Sequence, residues 1–344
     1  MSLIQKLTSL NRGLLYGAAG VTVLLAARAL YKEATKYSLK DKVVLITGGS
    51  RGLGLVMARM LAAKGARLAI CGRHAESLEK AKEELEATGA EVIAITADVT
   101  RVTEVNRMIA KIIRHYGVLD VLINNAGIIQ VAPYEATEVK DYKEAMQTNF
   151  WGPLYTIFSV LPHMRNQGGG RIVNITSIGG KVAVPHLLPY TASKFALVGL
   201  SEGLHASLKE NNILVTTVVP TLMRTGSPGN ITIKGDHAKE YAWFKVSSSS
   251  ALLSVKAETA ASSIIKSIEY GRSEATIGLT AKLATVMQGI APGLVSEAMA
   301  MVERLLPQPG ENYTEAKTGY ESESALSAAL GKRTAAAALK NNET

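Results

Sequence analysis

One cysteine in 344 residues, Cys71, leaves no partner for an intrachain disulfide and no thiolate set for a structural zinc site. It ends an apolar run and reads as an inert buried thiol. The six histidines show no HxxxH-like pairing, so no metal site is expected. Self-similarity at a period of about 20 to 50 residues is missing as well, which excludes repeat architectures. No Gly-Lys-Ser/Thr follows the glycine-rich stretch at 47–54, and this excludes the phosphate loop of nucleotide hydrolases.

What is present bounds the answer from the other side. Hydrophobic residues make up 47% of the chain, ample for a sizeable core and incompatible with disorder of the bulk; the length allows one large domain or two smaller ones. A net charge of +9 would suit a polyanion, an anionic membrane surface or a phosphorylated cofactor. Nucleic acid is not among the expected partners.

Near the amino terminus "GLLYGAAGVTVLLAA" (13–27) carries no charge, and the apolar stretch reaches Tyr31 if Arg28 snorkels its head group to the interface. A bilayer core needs about 20 apolar residues, with a lower limit of about 17. Residues 1–36 are therefore expected to form a spanning or interfacial membrane anchor. A secretory signal or a buried helix competes with this reading; the former lacks a small-x-small cleavage pattern before Arg28. Arg28, Lys32, Lys36, Lys40 and Lys42 follow the run, against Lys6 and Arg12 before it, a bias that places the main domain on the cytoplasmic side of a membrane.

From residue 42 the chain alternates short β-branched runs with longer helical patterns. Strands are expected at 42–49, 67–72, 91–98, 118–127, 171–177 and 213–220, with a seventh at 274–280. Helices are expected near 52–64, 75–88, 101–116, 138–166, 188–211 and 257–270. Such alternation predicts an α/β fold: a doubly wound, Rossmann-type parallel sheet of about seven strands with helices on both faces, spanning 37–280. An apolar helical extension follows at 281–306, broken by "APG". The polar, Ala-rich residues 307–344 are expected to be a loosely ordered tail.

"TGGSRGLG" (47–54) falls where the first strand gives way to the first helix. There small residues admit a pyrophosphate to the backbone, and free N–H groups with the helix dipole stabilise its charge. Gly48, Gly52 and Gly54 give a GxxxGxG spacing, and Ser50, Arg51 and Leu53 complete the candidate loop. At the end of the second strand, where an acid would select a free ribose 2′-hydroxyl, the chain has Gly72 and Arg73. With Arg51, Arg73 can clamp a 2′-phosphate, so NADP(H) is the expected cofactor.

Three Tyr-x-x-x-Lys pairs would each put both side chains on one helix face: Tyr190 with Lys194, Tyr241 with Lys245, and Tyr313 with Lys317. Taken in order, "TGGSRGLG", "NNAG" (124–127), "NFWG" (149–152), Ser177 and "YTASK" (190–194) make residues 41–225 resemble the short-chain dehydrogenase/reductase family. That resemblance implies a seven-stranded doubly wound sheet, NAD(H) or NADP(H), frequent homodimers or homotetramers, and catalysis by Ser177, Tyr190 and Lys194 supported by Asn149. It also chooses among the pairs. The family places a serine 13 positions before its tyrosine; Ser177 fits Tyr190, whereas Pro228 and Ala300 precede Tyr241 and Tyr313 at that spacing.

Reducing a carbonyl builds negative charge on oxygen, so a proton donor must stand beside it. Tyrosine, with an ordinary pKa of about 10, becomes useful near neutrality when positive charge stabilises its phenolate. Tyr190 is thus expected to be the acid or base, Ser177 to polarise the substrate oxygen, and Lys194 to lower the tyrosine and hold the nicotinamide ribose. By resemblance, Asp98 and Val99 flank adenine, Asn125 and Ala126 line the cofactor, Asn149 holds a water that links lysine to solvent, and Pro220 and Thr225 approach the nicotinamide. Thr221 stands where the family usually has glycine, which leaves the local loop path and its backbone contacts open. The expected function is a membrane-associated carbonyl reductase, or the reverse alcohol dehydrogenase, on an apolar lipid-, sterol- or retinoid-like substrate. The alternatives are a catalytically idle NADP-binding sensor, or an epimerase or dehydratase built on the same tyrosine.

Overall fold

The computed structural model describes residues 33–310 and 313–343. Of the predicted anchor segment 1–36, residues 1–32, with the apolar run 13–31, lie outside them; among the described residues no helix is long and apolar enough to cross a membrane. From Leu39 onward the chain forms one compact unit. Its strands are β1 (Val43–Thr47), β2 (Arg67–Gly72), β3 (Val92–Thr96), β4 (Val121–Asn124), β5 (Gln130–Val131), β6 (Gly170–Ile175), β7 (Ile213–Pro220), β8 (Leu222–Arg224), β9 (Thr232–Ile233), β10 (Ser254–Lys256), β11 (Glu274–Ile277) and β12 (Lys317–Thr318). The helices are α1 (Gly52–Ala62), α2 (Ala75–Glu86), α3 (Val102–Tyr116), α4 (Val139–Met146), α5 (Gly152–Asn166), α6 (Leu188–Leu208), α7 (His237–Ser249), α8 (Ala257–Glu269), α9 (Leu279–Ile290), α10 (Pro292–Glu303), α11 (Ala325–Leu330) and α12 (Lys332–Lys340).

Seven strands form one parallel sheet in the order β11-β7-β6-β4-β1-β2-β3. Every residue of β1 is buried, because successive side chains enter the cores on opposite faces of the sheet. One core gathers Val43, Leu45, Met108, Ile112, Val160, Met164 and Leu208 from β1, α3, α5 and α6. On the other face α1 packs against α2 and α8. β1 pairs with β2 on one side and β4 on the other, so the chain reverses its direction of travel there. A crevice at the carboxyl ends of β1 and β4 follows from that reversal, and the glycine loop opens into it.

A buried polar chain crosses the sheet. Thr156 donates to Asn124 (2.6 Å), Asn124 to Asn174 (2.9 Å), Asn174 to Ser201 (3.0 Å), and Thr217 to Ser201 (2.7 Å). It ties α5, β4, β6, α6 and β7 together just behind the site. Nothing in the hydrophobic pattern marks it.

The helix expected at 138–166 is interrupted: Gln147–Trp151 form a π-turn between α4 and α5. The extension at 281–306 is a hairpin of α9 and α10, hinged at Ala291 before Pro292. Its apolar residues are largely uncovered: Leu279, Leu283, Ile290, Leu294 and Leu305 are exposed.

The tail departs from expectation. Instead of a loose segment, its described residues add β12 antiparallel to β9 in a small sheet with β5, and pack α11 and α12 against α7. The physical reason is the smallness of the residues at the contacts. A Cβ on Gly226 would lie 2.3 Å from the Ala338 Cα, so glycine and alanine let the two backbones nearly touch. Polar partners do the rest: Ser249 meets Thr334 at 3.1 Å, and Lys245 pairs with Glu323.

The polar chain gives a stability test. Asn174→Ala strands Asn124 and Ser201, and each stranded partner costs about 1–3 kcal/mol. A clear fall in the urea unfolding midpoint is expected; a midpoint within error of wild type would show that the chain contributes nothing.

Candidate active site

The glycine loop is shaped by what its glycines lack. A Cβ on Gly54 would meet the Gly48 carbonyl oxygen at 2.1 Å, so only glycine lets the first turn of α1 close on the loop. Gly48 itself takes φ +64°, the left-handed region. Asn125 braces the turn, donating to the carbonyls of Thr47 (3.0 Å) and Gly48 (3.1 Å). The Thr47 hydroxyl accepts from the amides of Asn125 (2.9 Å) and Ala126 (3.0 Å). Asn125 therefore fixes the loop through a side-chain amide nitrogen bonded to two backbone carbonyls. Beneath it, burial pushes the Cys71 thiol up to about 12, the inert form its apolar run predicts.

Around the crevice, Ser50 is buried in the loop and Arg73 is exposed one residue beyond β2. Arg51 faces other groups: it donates to Asn230 (3.1 Å) and lies 3.8 Å from Glu343. Asp98 accepts from the amide (2.9 Å) and hydroxyl (2.8 Å) of Thr100, which fixes the turn after β3. Val99 packs against Gly152, where a Cβ would meet it at 3.0 Å. Pro220 ends β7 opposite Ile277. Thr221 keeps the chain extended into β8: its amide donates to Ile277 (2.9 Å), and its hydroxyl donates to Leu253 (2.9 Å) and meets Thr280 (2.8 Å). Thr225 is buried against Ser227 at 2.7 Å.

Ser177, Tyr190 and Lys194 come together where β6 ends and α6 begins. The Ser177 hydroxyl accepts from the Gly179 amide (3.1 Å), leaving its own hydrogen for another acceptor. Burial raises the Tyr190 phenol above its ordinary value, and a hydrogen bond with Ser177 pulls the other way. One turn on, Lys194 is 5% exposed, with its Nζ 5.7 Å from the centre of the Tyr190 ring and 2.9 Å from the Ile175 carbonyl. Burial lowers the Lys194 ammonium to about 8, so it remains mostly charged at neutral pH. Asn149, wholly buried in the π-turn, receives from the Ile128 amide (2.9 Å) and donates to the Ile128 carbonyl (3.0 Å) and Ser193 (3.0 Å). Its side chain thus clasps the strand-four loop to α6.

The other two pairs are accounted for by packing. Tyr241 is 1% exposed within an apolar cluster, and Lys245, 5.3 Å from its ring centre, is committed to Glu323. Tyr313 is exposed at the surface. The apolar cluster also collects Val131, Leu187, Ile231 and Phe244, with Val184, Tyr190, Leu222 and Trp243 at its edge. Tyr190 thus packs against an apolar wall.

A buried ion pair at this wall has no sequence signal, since its members are 54 positions apart. His186 Nδ1 lies 2.9 Å from the Glu240 carboxylate, which also accepts from the Trp243 indole (2.7 Å). His186 Nε2 lies 3.4 Å from Glu303. His186 adopts φ +59°, four residues before Tyr190, and its carbonyl accepts from Ala132. Burial pulls the imidazole pKa down, but the Glu240 hydrogen bond and charge, joined by Glu303, outweigh it and hold it above its ordinary value. The pair pins α7 to the turn that precedes α6.

Residues 42–234 match the family model for short chain dehydrogenases. Among curated proteins, dehydrogenase/reductase SDR family member 7B of Danio rerio is 34% identical over 229 residues, 65% of this chain and 73% of that protein. Among solved structures, a short-chain dehydrogenase from Streptomyces avermitilis superposes with a TM-score of 0.67 at 27% identity, covering 78% of this chain and 99% of that one. A variant of actinorhodin polyketide ketoreductase with NADPH superposes with a TM-score of 0.62 at 29% identity, covering 69% and 95%.

The His186–Glu240 pair carries a pH signature. A histidine whose pKa is raised on folding contributes stability that is full below its unfolded value of about 6.5 and is lost as pH rises through the folded one. The stability gap between wild type and His186→Gln should therefore shrink as pH is raised above about 6.5. Unfolding midpoints of both proteins across that range check it; a gap that is flat or widens would contradict the pairing.

Proposed function

The chain belongs to the short chain dehydrogenase family, and we propose that it is an NADP(H)-dependent oxidoreductase interconverting a carbonyl and a secondary alcohol on a small apolar substrate, with Tyr190 as acid and base. The observation that carries this reading is the convergence of Tyr190 and Ser177, where a Cβ on Gly179 would lie 3.4 Å from the Tyr190 ring and 3.5 Å from the Ser177 hydroxyl, with a buried, mostly charged lysine one helical turn away. When bound, the nicotinamide gives or takes the hydride.

In reduction, Tyr190 passes its proton to the substrate oxygen, while Ser177 donates its free hydrogen to the same oxygen. Burial alone would leave Tyr190 too weak an acid, so with the Ser177 hydrogen committed to the substrate oxygen it is the nearby Lys194 ammonium that stabilises the phenolate left behind. Lys194 spends one of its three hydrogens on the Ile175 carbonyl and keeps two for the phenol and the ribose hydroxyls. Run backwards, the same groups take the alcohol proton.

The loop fits a dinucleotide because Gly48 and Gly54 bring the backbone to the mouth of the crevice, and the N-terminus of α1 favours negative charge there. Arg73 at the end of β2, with no acid beside it, favours the 2′-phosphate of NADP(H); the NADPH held by the related ketoreductase supports the same choice. The wall of Val184, Leu222 and Trp243 favours an apolar substrate. The uncharged run at 13–27 and the exposed apolar side chains of α9 and α10 favour work at a membrane.

Two experiments test the reading. Tyr190→Phe deletes one hydroxyl and keeps the ring, so it should abolish turnover of a ketone panel with little loss of NADPH affinity, while Tyr241→Phe leaves single-turnover hydride transfer intact. The reverse pattern would remove Tyr190 from the chemistry. For the cofactor, a charge-assisted hydrogen bond contributes about 1.5–3 kcal/mol, so Arg73→Ala should weaken NADPH by roughly ten- to a hundredfold and NADH far less. Equal losses for the two, measured by fluorescence titration, would overturn the NADP(H) assignment.

A further inference from the structure

After α12 ends at Lys340, the last residues run across the glycine loop. The amide of Gly52, the first of α1, donates to the Asn341 carbonyl at 2.8 Å. Asn342 reaches from the loop to the start of α2, donating to the Ser50 carbonyl at 3.0 Å and to that of Ser77 at 3.4 Å. Glu343 places one carboxylate oxygen 2.3 Å from where a Cβ on Gly52 would stand, and the other 3.8 Å from the Arg51 guanidinium. Its side chain is 5% exposed. Asn230 donates to the Glu343 carboxylate at 2.8 Å, and the Tyr320 hydroxyl to its carbonyl at 2.6 Å.

The groups engaged by this strap are the ones that recognise phosphate. An amide at a helix N-terminus and an arginine in the adjoining loop make an anion site, and the strap offers them a carbonyl oxygen and a carboxylate. Resting on the reading of the loop as a dinucleotide site, we propose that residues 341–343 are a built-in competitor for the cofactor's phosphate groups, which must leave the glycine loop before the dinucleotide can enter.

A clasp closing over bound cofactor would use the same segment, but the chemistry disfavours it. A carboxylate set against phosphates repels them, and the Gly52 N–H already given to Asn341 is no longer offered to a phosphate. Burial pushes the Glu343 carboxyl up to about 7 against the pull of Arg51 and Asn230, so the docked strap holds its anion at a cost. Release has a route into the substrate side. Asn230 and Tyr320 flank β9 and β12, and α12 packs on α7, which carries Tyr241 and the glutamate that holds His186. Lifting the strap therefore loosens the supports of the apolar wall at the moment cofactor arrives.

Amide hydrogen exchange of the full chain with and without saturating NADPH reads the strap directly. Competition predicts faster exchange at Asn341, Asn342 and Glu343 when NADPH is bound; slower or unchanged exchange with NADPH demonstrably bound would overturn it. In parallel, a chain ending at Lys340 keeps α12 whole and should bind NADPH about tenfold more tightly than the full chain, the gain expected when a site free in roughly one molecule in ten becomes free in all. Equal or weaker affinity would overturn the competitor. Failure of both chains to bind either NADPH or NADH would overturn the dinucleotide reading beneath it, a result distinct from binding that ignores the strap.

Discussion

Keeping the Lys194 ammonium charged while it is nearly excluded from water demands nearby acceptors and room for its head group, and much of the surrounding architecture meets those two demands. The end of β6 offers the Ile175 carbonyl. Gly127 leaves open a space that a Cβ would fill 3.5 Å from the ammonium and 2.9 Å from Asn149. Gly180 allows the turn after Ser177 to lie against α6, where a Cβ would sit 2.8 Å from the Lys194 carbonyl. Ser177 and Tyr190 are brought together by that same close approach. The placing of the buried charge and the backbone packing that brings Ser177 to Tyr190 are thus one constraint.

Outside this centre the structure is layered by how firmly each part is held. The sheet and its buried polar chain form a rigid floor. The wall facing Tyr190 hangs from fewer attachments: the His186–Glu240 pair, the small sheet of β5, β9 and β12, and the contacts of α11 and α12. A side chain on a firm floor beneath a separately fastened wall keeps its own geometry when the wall shifts.

Much of the floor was legible because parallel strands buried on both faces must be apolar throughout; the runs at 67–72 and 213–220 match β2 and β7 residue for residue. The nearness of Tyr190 to Lys194 was legible because one helical turn joins them, but Tyr241 and Lys245 share that spacing, so it did not choose between the pairs. The spacing to Ser177 could be interpreted only through the family pattern. What could not be read shares one property, distance along the chain. His186 and Glu240 are far apart in sequence, and Glu343 and Arg51 are farther apart still. Composition misdirected as well: alanine and polar residues suggested a loose tail, whereas against glycine the small side chains permit backbone contact. Arg51 stands in the loop where a phosphate is expected, and no sequence spacing points to the partners it has here, Asn230 and Glu343.

The π-turn at Gln147–Trp151 makes the length of this segment a matter of angle. Each residue in an α-helix advances the chain by about 100°, and a π-turn holds an extra residue without passing the rotation on. Deleting one residue there would leave a sequence still able to form a helix, even a more regular one. It would nevertheless swing either Asn149 away from Ile128 and Ser193, or Thr156, Val160 and Met164 away from the sheet. The two ends of the helix face different masters, and only this segment's residue count lets both be served at once.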